Sequence, residues 1–391
     1  MEKNELLTKG VEQIIGKDEL TKILRSGKKM RIKHGVDPTS ADLHLGYAVV
    51  YHKLKEFQDL GHTIIFLIGD FTGRFGDPTQ KAETRTIRDK NDVKELAKNY
   101  LKQVGTILDL EKTEIRYNSE WYDKMSAEEL LKLMSNFTHA GMIERDMFQE
   151  RIKKNHEIWL HELAYPVLQG YDSVALKSDL TVIGSDQLFN EMQGRKLQEK
   201  AGQKPQMILT VPMLVGTDGK QKMSQSLGNY IGLTEDPKNM FGKTMSIPDE
   251  AIVNYYELAA RASREKIADI EKKLKSGENP KEIKEELASD IVKLYYGDTV
   301  AIKTKEEFDS VFSKGEIPDN IIEKKLENRQ RNIVDLLVEL ELASSKSEAR
   351  RLIAQGGVKI DQSKIIDPST RISTHSGTII QVGKLKYIKI I

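Results

Sequence analysis

The chain has 391 residues, of which 31% are charged, and its formal net charge is +1. That length is sufficient for two or three domains with substantial cores. The chain contains no cysteine, which excludes disulfides and thiolate chemistry, and no run approaches the roughly 18 apolar residues of a membrane helix. The first ten residues lack the apolar core of a signal peptide, so we expect a cytoplasmic protein with no membrane partner.

Positive charge is concentrated in the last part of the chain. Residues 321–391 contain 13 lysines and arginines against 8 aspartates and glutamates, a net charge of +5, which leaves −4 for the rest. A basic segment on a mildly acidic body is typical of a protein that binds a phosphate-bearing partner at one end.

The segment Met30–Gly61 predicts a strand, a loop and a helix. Arg31–Val36 has the composition of a strand, glycine and proline then break it, and apolar residues recur at helical spacing over Leu45–Phe57. The N-terminus of such a helix presents backbone N–H groups and the positive end of the helix dipole, so it is suited to binding phosphate. His44 lies in its first turn, where a histidine that only caps the turn is the simpler interpretation. Gly46 leaves room there for a flat ring or a sugar.

Further strands follow at the spacing of a parallel sheet. Thr63–Asp70 is a continuous apolar run between turn signals, which predicts a buried strand and completes a βαβ unit. The segments 179–190 and 207–233 each begin with another predicted strand. Ligands of such sheets lie beyond the carboxyl ends of the strands, where His44 and Asp77 emerge.

Three other regions predict helices. Residues 5–26 show helical spacing with a break at Gly16, and residues 91–160 are largely amphipathic helix around a strand-like TEIRY. From Asp236 onward the composition changes to charged helices, one of which begins with an Asn-Pro pair and ends at a glycine. The predicted buried stripe of that helix is Ile283, Leu287, Ile291 and Leu294.

Five segments carry a resemblance to a known family. They are DPTSADLHLGY (Asp37–Tyr47), GDFTGRFGDPTQKAETR (Gly69–Arg85), YPVLQGYD (Tyr165–Asp172), IGSDQLFN (Ile183–Asn190) and KMSQS (Lys222–Ser226). The first and last resemble the HIGH and KMSKS signatures of class I aminoacyl-tRNA synthetases, and all five in this order resemble the bacterial tyrosyl-tRNA synthetases. The resemblance extends over nearly the whole chain.

The resemblance implies an α/β protein in three parts. A Rossmann-like parallel-sheet catalytic domain with a dimer-forming insertion takes residues 1–232, a helical tRNA-contacting connector residues 233–325, and a small α+β RNA-binding domain residues 326–391. For the connector, a purely structural helical bundle is an equally good interpretation. The candidate interface residues, which are equally compatible with a core position, are Phe137, Met142, Met147 and Phe148.

The implied activity is the activation of L-tyrosine with ATP and its transfer to tRNA(Tyr). The carboxylate of tyrosine attacks the α-phosphorus of ATP, giving tyrosyl-adenylate and pyrophosphate, and the tyrosyl group then moves to the 3′-terminal adenosine of the tRNA. ATP is a substrate, Mg²⁺ is carried with it, and no tightly bound metal is expected. The implied partners are tRNA(Tyr), the two small substrates and a second copy of the chain.

The resemblance also implies the residues that bind tyrosine. Asp77 is assigned to the ammonium group, Tyr165 and Gln169 to the amino group, and Gln187 to the carboxyl region. Asp172 is assigned to the proton of the phenolic hydroxyl. Gln169 and Asp172 are three residues apart and share a helix face, although a half-buried helix with solvated polar side chains explains that spacing equally well.

A second set of residues is assigned to ATP. The Asp186 carboxylate follows a buried strand, as ribose-binding carboxylates do in dinucleotide folds. By resemblance Lys222 reaches the departing pyrophosphate, while Lys81 and Arg85 lie on a loop that closes on the phosphates. The donors expected to stabilise the phosphate oxygens are Thr39, His44, Lys81, Arg85 and Lys222. The residues expected to bind ATP are Asp37, Gly46, Tyr47, Gly184, Asp186, Lys222 and Gln225.

The chain departs from the family pattern at four positions. Tyr47 replaces the second histidine of HIGH and Gln225 the second lysine of KMSKS, so each change removes a potential positive donor near the phosphates. Lys33, which we count among the tyrosine-binding residues, replaces a tyrosine that touches the substrate hydroxyl in many members. Ile183 replaces a glycine. These changes are typical of a divergent branch.

The C-terminal segment resembles the RNA-binding domain first described in a small-subunit ribosomal protein. Ser345 caps or precedes a helix, two glycines turn the chain into a strand, and the closing GKLKYIKI alternates lysine with apolar residues. A charge-alternating edge strand without RNA contact is the alternative interpretation. The predicted RNA-binding residues are Lys346, Arg350, Arg351 and Lys359.

Three other functions stay open at this point. A tryptophanyl-tRNA synthetase shares the fold and mechanism, but the polar set Tyr165, Gln169 and Asp172 favours tyrosine. A small adenylyltransferase explains His44 but neither KMSQS nor the C-terminal domain. A non-catalytic RNA-binding protein on a synthetase scaffold explains the two altered signatures, although the other signature residues, Lys222 among them, are retained.

Overall fold

The protein is described as a computed structural model in which two compact units are distinguished, Met1–Gly297 and Asp298–Ile391. Within the described ranges, no helix is both long enough and apolar enough to span a bilayer. The division of the chain at residues 232 and 325 stays a prediction. The residues that the structure describes are 3–39, 41–77, 88–313, 322–383 and 386–391.

The first unit is built on a six-stranded sheet. Its strands are β1 (Gln13–Ile15), β2 (Arg31–Val36), β3 (Thr63–Ile68), β4 (Thr113–Tyr117), β5 (Leu180–Gly184) and β6 (Met207–Val211). Their order across the sheet is β1-β6-β5-β2-β3-β4, and neighbouring strands are parallel except β1, which is antiparallel to β6. This architecture confirms the predicted α/β fold class with a parallel sheet.

Helices connect these strands and continue beyond the last one. They are α1 (Lys3–Leu6), α2 (Lys17–Ser26), α3 (Leu45–Asp59), α4 (Thr72–Phe75), α5 (Lys90–Val104), α6 (Ser119–Tyr122), α7 (Ala127–Met134), α8 (His139–Ile143), α9 (Asp146–Lys153), α10 (Leu160–Leu176), α11 (Leu188–Lys200), α12 (Pro237–Met245), α13 (Ile252–Leu258), α14 (Arg264–Lys275) and α15 (Pro280–Tyr296). The apolar runs of β3 and β6 are almost completely buried, as expected for strands covered on both faces. The sheet and the buried side of α3 form the floor under the site described below.

Two predictions about local structure were wrong. Residues 5–26 are not all helical, because Gln13–Ile15 pairs with β6, while the break at Gly16 is confirmed by its left-handed φ of 83°. Leu294 is 39% exposed and does not belong to the buried stripe of α15, whose other three predicted members are buried. Of the candidate interface residues, Met142 and Phe148 are buried in the first unit.

The second unit has its own core. Its strands are β7 (Ile322–Lys324), β8 (Gln330–Asn332), β9 (Val358–Ile360), β10 (Ser363–Ile365), β11 (Arg371–Ser373), β12 (Ile379–Val382) and β13 (Lys386–Ile390), and its helices are α16 (Asp298–Ser313), α17 (Ile333–Glu339) and α18 (Lys346–Ala354). Five strands form one sheet in the order β10-β9-β12-β13-β7, and β11 pairs with β8. Ser345 accepts from the Glu348 backbone N–H (3.2 Å) and so caps α18 as predicted.

Candidate active site

A cavity of about 860 Å³ opens at the carboxyl ends of the parallel strands. Val36, Gly184 and Val211, the last residues of β2, β5 and β6, all border it. Lys81 and Arg85 lie outside the described residues. Every other residue predicted for tyrosine, ATP or catalysis lines this one cavity: Lys33, Asp37, Thr39, His44, Gly46, Tyr47, Asp77, Tyr165, Gln169, Asp172, Gly184, Asp186, Gln187, Lys222 and Gln225.

His44 is the N-cap residue of α3, and it also lines the cavity, where its second ring nitrogen can contact a ligand. Its Nδ1 accepts a hydrogen bond from the Gly46 backbone N–H (3.2 Å), so the ring proton is on Nε2. Burial, reinforced by the charge of Lys222, lowers the pKa of His44 to about 4. The ring is therefore a neutral N–H donor at pH 7, and capping and ligand binding use different nitrogens. A Cβ on residue 46 would lie 2.9 Å from Nδ1, so the cap requires glycine there.

The two signature segments are joined through their backbones. The Leu45 N–H, at the start of α3, donates to the Ile231 carbonyl (3.0 Å), and the Leu233 N–H donates to the Leu43 carbonyl (2.8 Å). Gln225 of KMSQS also donates through its side chain to the carbonyl of Asp42. Segments about 180 residues apart in the chain are thus held at one edge of the cavity.

Lys222 is paired with a residue predicted to bind ribose. Its Nζ lies 3.0 Å from Asp186 Oδ2, and the two side chains are 32% and 28% exposed. The loop that follows Lys222 is shaped by the Ser224 N–H, which donates to Asn229 Oδ1 (2.9 Å). Because both charged groups are partly solvated, their separation costs little.

Asp37 organises the wall next to β3. Its two carboxylate oxygens accept from Thr72 Oγ1 (2.8 Å) and from the Tyr165 hydroxyl (2.8 Å). Burial and the neighbouring carboxylates raise the pKa of Tyr165 well above its usual value, so its hydroxyl stays protonated and donates. A Cβ on residue 69 would lie 2.0 Å from Asp37 Oδ1, so only glycine allows this approach. The hydroxyl of Tyr165 is thus fixed by a carboxylate.

Asp172 is a buried carboxyl group on α10. It accepts from Trp121 Nε1 at 3.0 Å. Burial raises its pKa to about 7, although the charge of Lys33 and hydrogen bonds from Trp121 and Tyr122 act in the opposite direction. The group therefore titrates near neutral pH, and when it is ionised it can accept a hydrogen bond from a hydroxyl group.

Lys33 and Glu191 form a buried ion pair next to Asp172. Lys33 Nζ lies 2.9 Å from a Glu191 carboxylate oxygen, and each side chain is 1% exposed. Lys33 also donates to Ser173 Oγ (2.8 Å), and Glu191 accepts from Gln169 Nε2 (2.9 Å) and Gln206 Nε2 (2.8 Å). Three side chains, from β2, α10 and the segment before β6, are thus anchored on one carboxylate.

From Gln169 a chain of amides leads to Asp77. Asn190 Nδ2 donates to Gln169 Oε1 (2.7 Å) and to Gln187 Oε1 (3.1 Å), and Gln187 Nε2 donates to Asp77 Oδ2 (3.0 Å). Arg145 Nη1 lies 3.5 Å from Asp77 Oδ1. Each hydrogen bond fixes which end of the neighbouring amide donates and which accepts. The groups assigned to the amino end of tyrosine therefore form one network with Glu191.

Four further residues of the site, Glu191, Trp121, Thr72 and Arg145, were not predicted from the sequence. Each contacts a predicted residue, and although Thr72 lies inside the quoted segment Gly69–Arg85, no spacing rule marks any of the four. Glu191 did have a signal: Lys33 lies inside the predicted strand Arg31–Val36, and a lysine that is buried there requires a counter-ion. The sequence does not say which carboxylate supplies it.

A parallel sheet, a helix N-terminus and convergent polar groups at one cavity define a nucleotide-binding α/β enzyme domain. The sequence model of the family "tRNA synthetases class I (W and Y)" matches residues 25–313, and that of the S4 domain matches residues 331–377. The chain belongs to this class I tRNA synthetase family and carries an S4 domain after the family's core.

Curated relatives match the chain over its whole length. The chain is 46% identical to the tyrosine--tRNA ligase of Thermotoga maritima over 390 residues, which cover 100% of this chain and 97% of that protein. It is also 46% identical to the tyrosine--tRNA ligase of Oleidesulfovibrio alaskensis, with 98% and 97% covered. Among solved structures, the Archaeoglobus fulgidus tyrosyl-tRNA synthetase complexed with L-tyrosine has the same fold, with a TM-score of 0.63 at 24% identity over 77% of this chain and 98% of that one.

Proposed function

We propose that the protein is a tyrosine--tRNA ligase that acts in the cytoplasm. It activates L-tyrosine with ATP to tyrosyl-adenylate and transfers the tyrosyl group to the 3′-terminal adenosine of tRNA(Tyr). The observation that carries the proposal is a single cavity with a buried, titratable carboxyl group, Asp172, in its wall and the His44 and Lys222 donors bordering it. Full-length relatives that carry this name support it.

Tyrosine is bound by groups whose geometry is already fixed. Asp172 accepts the phenolic hydroxyl, Asp77 pairs with the ammonium group, and Gln187 contacts the carboxyl region. Gln169 and Tyr165 contact the amino group. The hydroxyl distinguishes tyrosine from tryptophan and phenylalanine, because neither of these supplies the additional hydrogen bond that the buried Asp172 carboxylate can accept.

Activation is a displacement at phosphorus. An oxygen of the tyrosine carboxylate forms a bond to the α-phosphorus, and the bond to the β,γ-pyrophosphate breaks, so the charge passes to the leaving group. His44 donates from Nε2 without itself being charged, Thr39 donates from its hydroxyl, and Lys222 leaves Asp186 to follow the pyrophosphate while Asp186 takes the ribose hydroxyls. Mg²⁺ enters bound to ATP as part of that substrate. We also assign Lys81 and Arg85 to the phosphates by family resemblance.

The tRNA is contacted by the S4 domain. The proposed residues Lys346, Arg350, Arg351 and Lys359 are all exposed, and two of them form only surface ion pairs, Lys346 with Asp335 (2.8 Å) and Arg351 with Glu348 (3.8 Å). Such pairs contribute little to stability, so these cations can exchange partners for phosphate at low cost.

The active protein is a homodimer. By family resemblance the interface lies within residues 91–160, where five large apolar side chains are exposed in the first unit: Leu131 (68%), Met134 (36%), Ile152 (46%), Trp159 (41%) and Leu160 (82%). Helices α7 and α10, which carry Leu131 and Leu160, contact each other, so these exposed apolar groups support an interaction surface in this segment. Light scattering of Leu131→Lys/Leu160→Lys against the unaltered protein tests this assignment, and a shift to the monomer mass is expected.

The first test is ATP–pyrophosphate exchange without tRNA, with tyrosine, tryptophan and phenylalanine offered separately. We expect exchange with tyrosine alone, which also requires that Tyr47 and Gln225 support activation. Exchange with tryptophan would reassign the specificity. Absence of exchange with all three, from folded protein that still binds tRNA, would favour the non-catalytic scaffold.

A further inference from the structure

The cavity carries more negative than positive charge. Among the described residues that line it, seven carboxyl groups stand against three cationic side chains, Lys33, Arg88 and Lys222. His34 and His44 add no charge at pH 7, because burial lowers the pKa of each to about 4. ATP brings several further negative charges, so its phosphates require cations that are free to bind them.

Two of these three cations already have a carboxylate partner. Lys33 Nζ lies 2.9 Å from a carboxylate oxygen of Glu191, and Lys222 Nζ lies 3.0 Å from Asp186 Oδ2. Arg88 differs from both, because no ion pair is found for it among the described residues. Within that part of the chain, its charge is therefore the one that no nearby carboxylate compensates.

The backbone at Arg88 is fixed, although the side chain is only half-buried. The Arg88 N–H donates to the carbonyl of Arg74 in α4 (3.1 Å). The next residue, Asp89, is the N-cap of α5, and its side chain accepts from the Asn91 N–H (2.8 Å). The guanidinium group therefore extends from a defined position on the cavity wall.

The guanidinium group of Arg88 uses little of its hydrogen-bonding capacity. It carries five N–H bonds, and the acceptor found for it within the described ranges is the Pro38 carbonyl, at a long 3.4 Å from Nη1. Pro38 is followed by Thr39, a proposed phosphate donor that lines the same cavity. Arg88 is thus on the side of the cavity assigned to phosphate, with donors to spare.

We propose that Arg88 binds the β,γ-pyrophosphate group of ATP, as a cation that this chain supplies in addition to Lys222. A guanidinium group forms two parallel hydrogen bonds to a phosphate, a geometry that a lysine ammonium group does not provide. Tyr47 and Gln225 remove two potential positive donors from the signature segments, and Arg88 restores one. The inference rests on the proposed function and assigns a phosphate-binding residue outside the five motif segments.

The outer end of the triphosphate fits this position. Asp89 and Asp92 line the cavity beside Arg88 and are both exposed, which places this wall at the mouth of the cavity. The α-phosphorus is instead attacked by the tyrosine carboxylate, which is assigned to Gln187. The contact with Arg88 is lost when pyrophosphate leaves, so Arg88 acts on activation and not on transfer to the tRNA.

The decisive variant is Arg88→Gln, which removes the charge and keeps an amide donor, while Arg88→Lys keeps the charge without the two-bond geometry. The matched control is Arg195→Gln, since Arg195 is half-buried in the same unit, donates to the backbone carbonyl of Gln206 and does not line the cavity. For all four proteins, ATP–pyrophosphate exchange gives kcat/KM for ATP and for pyrophosphate. A tyrosine titration and the transfer of tyrosine from preformed adenylate to tRNA are measured beside it.

We expect Arg88→Gln to lower kcat/KM for ATP and for pyrophosphate by about 10-fold to 100-fold, as for the loss of a hydrogen bond between charged groups, and Arg88→Lys to lower it less. Tyrosine affinity and the transfer rate should equal those of the control, because neither involves pyrophosphate. Unchanged exchange, or an equal loss in exchange and in transfer, would overturn the inference. A parental protein that does not exchange with tyrosine would instead overturn the proposed function.

A second measurement needs no variant and so does not depend on whether a variant folds. The unaltered protein is treated with phenylglyoxal, which modifies accessible arginine side chains, and the modified peptides are identified by mass spectrometry. Pyrophosphate should protect Arg88 but not Arg195, and tyrosine alone should protect neither. Equal modification of Arg88 with and without saturating pyrophosphate would contradict the proposed contact.

Discussion

The two ion pairs that border the cavity, Lys33–Glu191 among the residues around tyrosine and Lys222–Asp186 among those assigned to ATP, differ in burial. The side chains of Lys33 and Glu191 are each 1% exposed. Among the ATP groups, Lys222 and Asp186 are also paired, yet each is about 30% exposed. The first pair is locked by neighbours, and the second is held by little more than its own attraction.

The two pairs differ in how firmly they are held before the substrate binds. Selection of tyrosine over phenylalanine through the substrate hydroxyl requires protein groups in fixed positions, because a mobile side chain would adapt to the wrong ligand. Phosphates, in contrast, change position and charge during the displacement, and Lys222 must follow them. Burial therefore fixes the geometry of Lys33 and Glu191, and exposure allows Lys222 to move.

Breaking the buried pair should have the largest effect. Lys33→Met leaves the Glu191 carboxylate buried without a counter-ion, so we expect a loss of about 3–5 kcal/mol in the free energy of unfolding. Urea denaturation of the first unit measures it. Lys33→Met/Glu191→Gln should recover most of the loss, and a single variant as stable as the parent would show that water reaches the pair.

His44→Ala tests the ATP groups directly. Loss of one preorganised donor should slow adenylate formation by about 10²-fold to 10³-fold while tyrosine affinity stays unchanged. Single-turnover kinetics and a tyrosine titration separate the two quantities. The control is His62→Ala, since His62 is also buried and also accepts a backbone N–H, from Met30, but does not line the cavity. A near-parental rate for His44→Ala would remove His44 from the mechanism.

Asp172→Asn should stabilise the protein at alkaline pH. Because its pKa is raised from 3.8 to about 7, Asp172 contributes stability below pH 3.8 that is lost as the pH rises through 7. Asparagine avoids the buried charge, so we expect a gain of about 2–4 kcal/mol at pH 8 and no gain below pH 4. A pH series of denaturant melts measures it, and a gain that is independent of pH would contradict the assignment.

The same substitution should cost specificity. An amide accepts the substrate hydroxyl without charge assistance, so the tyrosine-to-phenylalanine ratio of kcat/KM should fall by about 10-fold to 100-fold. Pyrophosphate exchange with the two amino acids at pH 8 provides the ratio. Together with the preceding prediction, this makes Asp172 a position where stability is given up for recognition.

The smallest effect is expected for the exposed pair. Lys222→Met should change the free energy of unfolding by about 1 kcal/mol or less, because water replaces the lost partner of Asp186. It should nevertheless slow activation, since the pyrophosphate loses its cation. Denaturation and ATP–pyrophosphate exchange are measured on the same preparation. A stability loss as large as that of Lys33→Met would contradict the expected difference between the exposed and the buried pair.

Much of the catalytic framework was predictable from sequence because it is local. Strand β3, helix α3 and the capped start of α15 each follow from periodicity and end signals over ten to twenty residues. The cavity lining was predictable through motif resemblance, since each motif follows a strand or starts a helix. His44 was open to two interpretations: the structure shows that it caps α3 and lines the cavity, and its role as a donor to ATP stays a proposal.

Contacts between distant segments were not predictable in the same way. Gln13–Ile15 is too short for a periodic signal, and only its pairing with β6 makes it a strand. Leu294 continues the apolar spacing of α15, yet the surface it faces is not covered within the described residues of the first unit. Glu191 was missed because its importance comes from Lys33, which lies 158 positions earlier in the chain.

The antiparallel pairing of β1 with β6 has a consequence for synthesis on the ribosome. Gln13 and its partner Thr210 are separated by 197 positions, so the first strand emerges long before the strand that it pairs with. At about 5–20 residues per second, the wait is roughly 10–40 s. During that interval the edge segment has unpaired backbone groups, and the nascent chain is a target for chaperones until the last strand of the sheet leaves the tunnel.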